Sequence, residues 1–152
     1  MECDYIKKYL EIFEIISDEH DEINKWIRIL IDEGYQINKH AKELLDHFGG
    51  LKIKGKGLFN DKTEVYFNPV YFASGEIDRL QMYNKITDDV LFPVGGLYDY
   101  TIYVGQTGKI YIVDWKNIYE CSTSIDGFLK NILSYNPKLK ELYNGWIEGM
   151  FS

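Results

Sequence analysis

The sequence predicts an α+β fold, one domain over residues 1–152 with a mainly antiparallel sheet flanked by amino-terminal and carboxy-terminal helices. Three observations predict it. In the first third apolar residues recur at the 3.6-residue period of a helix, after Gly49-Gly50 the period drops to 2, and turn residues such as Gly105 and Gly108 then join short apolar runs. Helices first, hairpin-linked strands next and helices last is an order that builds α+β, whereas a parallel α/β sheet needs strand and helix to alternate. A chain of 152 residues is long enough to bury a sizeable core without disulfides or metals.

From Asp4 to Ser17 the apolar positions Tyr5, Ile6, Tyr9, Leu10, Phe13 and Ile16 lie opposite Lys7, Lys8, Glu11 and Glu14 and predict an amphipathic helix. A second helix starts in the polar stretch Ser17–Glu22, turns Ile23, Trp26, Ile27 and Leu30 inward and stops at Gly34. A third opens at Asn38, a capping residue type, places Ala41, Leu44, Leu45 and Phe48 on one face, and ends at Gly49-Gly50. One of these glycines is expected at positive φ, with Phe48 anchored in the core. Leu51–Lys54 and Thr63–Asn68 read as strands between the turn residues Gly55, Gly57, Asn60 and Asp61. Pro69 and Ser74-Gly75 punctuate the exit, and Gly75–Ile86 reads as a short helix with Ile77, Leu80 and Met82 or Tyr83 inward. Three strands follow, Val90–Gly95, Tyr98–Val104 and Lys109–Trp115, the last two joined by the tight turn Gly105-Gln106-Thr107-Gly108. Ser122–Ser134 predicts a capped helix with Ile125, Phe128, Leu129, Ile132 and Leu133 inward, and Pro137–Ile147 a terminal helix.

Charge narrows the function. The net charge is −7, and residues 1–50 hold 12 acids against 6 bases, while the remainder is nearly balanced. Nucleic-acid affinity is built from counterions released at Lys and Arg, so this chain has no general attraction for phosphate backbones and a basic protein is the better match. The absence of an 18-residue apolar run argues against a membrane span, and acids in MECDYIKKYL stand where a signal peptide carries bases. Cys3 and Cys121 lack a CxxC partner, which suits a reducing cytoplasm.

Motifs for chemistry are missing. Gly105-Gln-Thr-Gly108-Lys109 lacks the spacing and the Ser/Thr of a phosphate-binding loop and leads into a strand, so it reads as a hairpin turn. His20, His40 and His47 offer no i, i+4 pair, and no GxSxG elbow occurs. No metal or cofactor is therefore expected. The paired acids Asp18-Glu19, Asp21-Glu22, Asp32-Glu33 and Asp88-Asp89 are each explained by solvation or helix-dipole stabilisation. The first six, however, flank the second helix and are candidates for an acidic rim that meets a cationic partner. Thirteen tyrosines are suited to interfaces, because a ring joins apolar area to a polar tip. Tyr98, Tyr100, Tyr103 and Tyr111 fall on the predicted hairpin, where alternation sends some to the outer face, and they are the candidate contact residues.

Leu44-Leu45-Asp46-His47-Phe48-Gly49-Gly50-Leu51 resembles the helix-end signature of the SUKH immunity proteins, in particular the third SUKH subgroup, where Phe-Gly-Gly-Leu leads from a helix into the first strand. Leu91-Phe92-Pro93-Val94-Gly95 is similar to that family's apolar-Pro-apolar-Gly strand, Tyr100–Val113 to its hairpin with a turn at Gly108, and Ser124–Leu133 to its closing helix. The resemblance covers residues 44–133 and leaves the helices before Ile37 and the tail beyond Asn136 unmatched. It implies a structural role for Phe48, Gly49, Gly50, Pro93, Gly95 and Gly108, with no catalytic residue. It also implies an immunity protein of a bacterial polymorphic toxin system, made in the cytoplasm, that binds and neutralises a cognate toxin, often a nuclease. The alternative is a small soluble enzyme or ligand-binding domain with a pocket against the sheet. The oligomeric state is open.

Overall fold

Gly49-Gly50 is the point at which the chain passes from helices into the sheet. A computed structural model describes residues 9, 11–57, 62–114 and 116–144. In chain order these form β1 (Phe13–Asp18), a short 3-10 turn (His20–Glu22), α1 (Ile23–Glu33), α2 (Lys39–Phe48), β2 (Leu51–Gly55), β3 (Glu64–Tyr66), α3 (Pro69–Ala73) and α4 (Ile77–Thr87). There follow β4 (Leu91–Leu97), β5 (Tyr100–Gly105), β6 (Ile110–Val113), β7 (Asn117–Ser122), α5 (Ile125–Ile132) and β8 (Lys140–Asn144). The eight strands pair in sequence order, β1 through β8, and every pairing is antiparallel. The expected α+β class with an antiparallel sheet is therefore what forms.

The helices at Ile23–Glu33, Lys39–Phe48, Ile77–Thr87 and Ile125–Ile132 form where the periodicity places them. In α1 the buried residues are Ile23, Trp26, Ile27 and Leu30, and Gly34 closes it in the left-handed region at φ 117. Asn38 caps α2 by accepting a hydrogen bond from the Ala41 amide, and Ser124 caps α5 by accepting one from Gly127. Of the two glycines after Phe48, Gly50 takes positive φ (85) and Gly49 does not (−58). All seven positions of β4 and all four of β6 are buried, so both faces of the central sheet are covered.

Four elements differ from the sequence reading, for reasons that lie outside the local segment. The helix expected over Asp4–Ser17 is a strand from Phe13 onward, while residues 4–8 and 10 lie outside the described residues. Phe13 is buried, and the segment pairs with β2 from Phe13↔Gly55 to Asp18↔Leu51. Its Phe-Glu-Ile-Ile core is rich in residues that favour a pleated surface once a free ladder edge is offered. At the far edge, the helix expected over Pro137–Ile147 is strand β8, with 145–147 outside the described residues. Asn131 at the end of α5 donates to the Lys138 carbonyl (2.7 Å) and accepts from its amide (2.6 Å), which holds the chain extended as it enters the ladder with β7. Strand β7 itself and the one-turn helix α3 were not anticipated. Pro69 at the first turn of α3 and Asn68, whose side chain accepts from the Tyr71 amide, are helix-start signals that read equally well as a strand exit. Asn60, Asp61 and Trp115, expected as turn residues and a strand end, lie outside the described residues.

The turn Gly105–Gly108 closes β5 onto β6 with Gly108 at φ 91, and a buried carboxylate holds it. Asp89 accepts from the Val90 amide (2.9 Å), the Thr107 amide (3.3 Å), the Thr107 hydroxyl (2.5 Å) and the Tyr111 hydroxyl (3.0 Å). A Cβ at Gly105 would sit 2.0 Å from Asp89 Oδ2, so a glycine is required there.

Burial also creates an alkaline liability. It pushes the phenols of Tyr35 and Tyr83 up to about 12 from 10.0, and the Cys121 thiol up to about 12 from 9.0. Between the ordinary and the raised values the unfolded chain has released these protons and the folded one has not. The unfolded state then binds fewer protons, and stability falls as pH rises, by up to about 1.4 kcal/mol per pH unit for each group. Urea unfolding at about pH 8 and about pH 11 should show a lower midpoint at the higher value; equal midpoints would refute it.

Candidate partner-binding site

Asn68, Pro69 and the one-turn helix α3 set two consecutive aromatic residues, Tyr71 and Phe72, against the sheet. A single helical turn cannot bury both, so Phe72 packs down and Tyr71 stays 66% exposed. Phe72 lies on Gly96 of β4, where a Cβ would stand 2.2 Å from its ring, and Thr101 of β5 donates to its carbonyl. Tyr66 of β3 completes the group, with ring centroids 5.8 Å from Tyr71 and 6.5 Å from Phe72. The neighbouring Gly95 has a different reason: its Cβ would meet the Tyr66 carbonyl at 2.4 Å, so glycine lets β3 approach β4.

Tyr98 extends this ridge from the tight turn between β4 and β5. It is 66% exposed and holds φ at 52, a left-handed conformation that costs a side-chain-bearing residue about 1–2 kcal/mol. Its hydroxyl lies 3.2 Å from that of Thr63, which is buried. The reversal between β4 and β5 holds Tyr98 in this strained conformation.

Between α4 and strands β5 and β6 lies a cleft of about 310 Å³. Tyr71, Phe72 and Tyr98 stand at its side and Tyr83 and Tyr103 are also among its walls, their rings edge to face at 5.9 Å. Its charged lining is Glu76, Asp99 and Asp114, with no lysine, arginine or histidine among the described residues. Asp114 is fixed by accepting from the Lys116 and Asn117 amides at 2.8 and 2.6 Å. A second cleft, of about 360 Å³, shares Tyr71, Phe72 and Tyr98 and adds Lys52, Lys62 and Glu64. The aromatic ridge therefore separates an acidic cleft from a lysine-bearing one. Among the described residues no group of three His, Cys, Asp or Glu side chains is placed to hold a metal ion, and no helix is long and apolar enough to cross a membrane.

The sequence candidates distribute unevenly over this geometry. Tyr103 and Tyr111, expected as contact residues, are each 1% exposed and have to be removed from any contact surface. Tyr103 sits under Tyr83, and Tyr111 turns inward to donate to Asp89, because these strands are covered on both faces. Tyr100 is half-buried against Tyr119 at 6.1 Å. Of the acids, Asp18, Glu19, Asp21 and Asp32 are exposed, and Glu22 and Glu33 half-buried. Asp18 accepts from the His20 amide, Glu19 from the Tyr66 hydroxyl, and Glu33 from Ser74 Oγ and the Gly75 amide. Tyr66, which also accepts from Asn68, thus links the first acid cluster to the ridge. The eleven-residue helix α1 holds the two acid clusters about 16 Å apart, so they are two patches and not one continuous rim. Asp88 ends α4 at φ 52, and Asp89 serves the hairpin turn.

A family model described as the SUKH-3 immunity protein matches residues 14–135. The chain belongs to the SUKH-3 immunity protein family. No curated protein and no solved structure matches it. The SUKH-3 match runs from β1 to just past α5, further toward the amino terminus than the 44–133 span of the sequence resemblance, and takes in both acid clusters. Of the residues that carried the sequence resemblance, Phe48, Pro93 and Gly95 are buried, and Gly50 and Gly108 hold positive φ. Tyr71, Phe72, Glu76, Asp99 and Asp114 were missed as candidates, and the adjacent aromatics after an Asn-Pro helix start were the available signal.

Proposed function

We propose that this SUKH-3 protein acts in the bacterial cytoplasm by binding a cognate protein toxin of a polymorphic toxin system and blocking it through direct contact, without catalysis. The toxin is a basic protein, a nuclease, and neither nucleic acid nor a membrane is the ligand. Membership of the SUKH-3 immunity protein family, matched over residues 14–135, carries this reading. The exposed ring ridge at Tyr71 and Tyr98, beside an acidic cleft, supports it, since interface anchors are enriched in tyrosine and surrounded by charge that selects the partner. Co-expression with the toxin encoded immediately upstream of its gene should restore growth; continued killing by every neighbouring toxin would defeat the proposal.

Within this reading the acids at the two ends of α1 steer the encounter. Their separation of about 16 Å exceeds the Debye length of about 8 Å at physiological salt, so the patches contribute nearly independently. Converting Asp18, Glu19, Asp21 and Glu22 to Asn or Gln should slow association and reduce its salt dependence, and converting Asp32 and Glu33 as well should reduce it further. Stopped-flow association across a salt series measures both. Rates indifferent to salt and to either set would remove the steering role.

A further inference from the structure

The acidic cleft has a chemistry more specific than negative charge. Carboxylates of Glu76 and Asp99 are exposed at its edge, Asp114 is locked by backbone amides, and rings of Tyr71, Tyr83 and Tyr98 stand around them. Rings present negative faces to a cation, and carboxylates offer paired acceptors; a site combining the two is complementary to a planar, weakly hydrated cation. That description fits guanidinium better than ammonium, which is compact and strongly hydrated and cannot lie flat on a ring. The molecule shows the same contact internally, with the Arg79 guanidinium 5.7 Å from the centroid of the Tyr83 ring. At the Tyr83 wall burial raises the phenol, the Arg79 cation opposes it, and Glu76 and Asp114 raise it further. At about 310 Å³ the cleft is at the small end of ligand pockets, which span about 300–1,000 Å³, and suits one inserted side chain better than a helix.

We infer that this cleft receives an arginine side chain of the protein partner, with its guanidinium stacked against Tyr98 and Tyr71 and paired with Glu76 and Asp99. The inference rests on the toxin-binding reading for the identity of the partner, and on the cleft alone for the chemistry. Arginine entry would orient the complex, because the cleft across the ridge sets two lysines against one glutamate and is a poorer match for the same group.

The test uses the ¹⁵N-labelled full chain titrated with Nα-acetyl-arginine amide, Nα-acetyl-lysine amide and the uncharged isostere Nα-acetyl-citrulline amide. Saturable shifts at the Asp99, Thr101 and Val113 amides are expected with the arginine compound, weaker shifts with lysine and none with citrulline. E76Q/D99N should weaken arginine binding about tenfold or more. Both side chains are exposed, so the variant should keep a dispersed spectrum, and Y71A provides an independent removal of one ring wall. Equal response to citrulline, shifts confined to the acids at the ends of α1, or full binding to both variants would overturn the inference. If an upstream toxin is neutralised while the arginine compound leaves the cleft untouched, the immunity reading stands and this inference fails. If the cleft binds arginine and no neighbouring toxin is neutralised, the reverse holds.

Discussion

Gly50→Ala should lower stability by about 3 kcal/mol or more. Gly50 sits at φ 85, where an L side chain is strained, and an added Cβ would lie 2.3 Å from the Glu19 carbonyl carbon and 2.4 Å from the His20 nitrogen. These are backbone atoms, held by Glu19 N donating to Gly50 O at 2.7 Å and by Gly50 N donating to Phe67 O at 2.8 Å, so they cannot rotate away as a side chain would. Gly75 supplies the control. It has the same φ of 85 and nothing within 4 Å of its Cβ position, so Gly75→Ala carries the strain without the collision. That strain is about 1–2 kcal/mol. The excess loss at Gly50 reports the close packing of the β1–α1 connection on the helix–strand junction. In a domain of this size the full loss at Gly50 should also reduce Tm by about 6–12 °C. Equal losses at the two positions would mean that the connection gives way, and would cancel the packing argument.

Asp89→Ala should cost about 2–4 kcal/mol, because it removes the acceptor for Thr107 and leaves the Tyr111 hydroxyl buried without its partner. The carboxylate is 8% exposed and ties the end of α4 to the β5–β6 turn, so the loss should appear as a lower denaturant midpoint with an unchanged slope. Tyr111→Phe removes one donor only and should cost about 1 kcal/mol. The double variant should be less destabilised than the sum of the two, since after the first change the second removes an interaction that no longer exists. An Asp89→Ala loss below that of Tyr111→Phe would show that the turn does not depend on the carboxylate. The adjacent acids Asp88-Asp89 thus illustrate how two similar residues separate: one ends a helix in solvent, and the other is structural and buried.

The candidate site was legible only in part. Tyr98 was identified as a contact residue from its place on the predicted hairpin, and it does stand exposed on the turn. Tyr103 and Tyr111 share its place on the hairpin and are buried, because alternation assigns a face to a residue but does not say whether that face is covered. Here α4 covers Tyr103 through Tyr83, a contact between residues twenty positions apart. Tyr71, Phe72, Glu76 and Asp114 reach one cleft from three segments of chain. Composition and spacing register no signal for such a convergence, since each segment alone reads as a helix start or a strand end.

Local chemistry decided what depends on one or two turns of chain. Caps at Asn38 and Ser124, the stop at Gly34, the apolar faces of α1, α2, α4 and α5 and the turn at Gly105–Gly108 involve neighbours within a few residues, so periodicity and turn chemistry suffice to place them. The change of period at Gly49-Gly50 likewise marks the α+β order. Long-range pairing decided the two edges of the sheet. Phe13–Asp18 and Lys140–Asn144 carry patterns compatible with a helix, but each lies beside an open ladder, β2 and β7, whose unpaired backbone groups it satisfies by extending. Pairing also buries Phe13 and Tyr143, which outweighs the few tenths of a kcal/mol that separate most residues in helix propensity, so the ladder prevails. The candidate face belongs to the same class: its charge and aromatic content are written in the chain, and only the packing of α3 and α4 on the sheet brings them together.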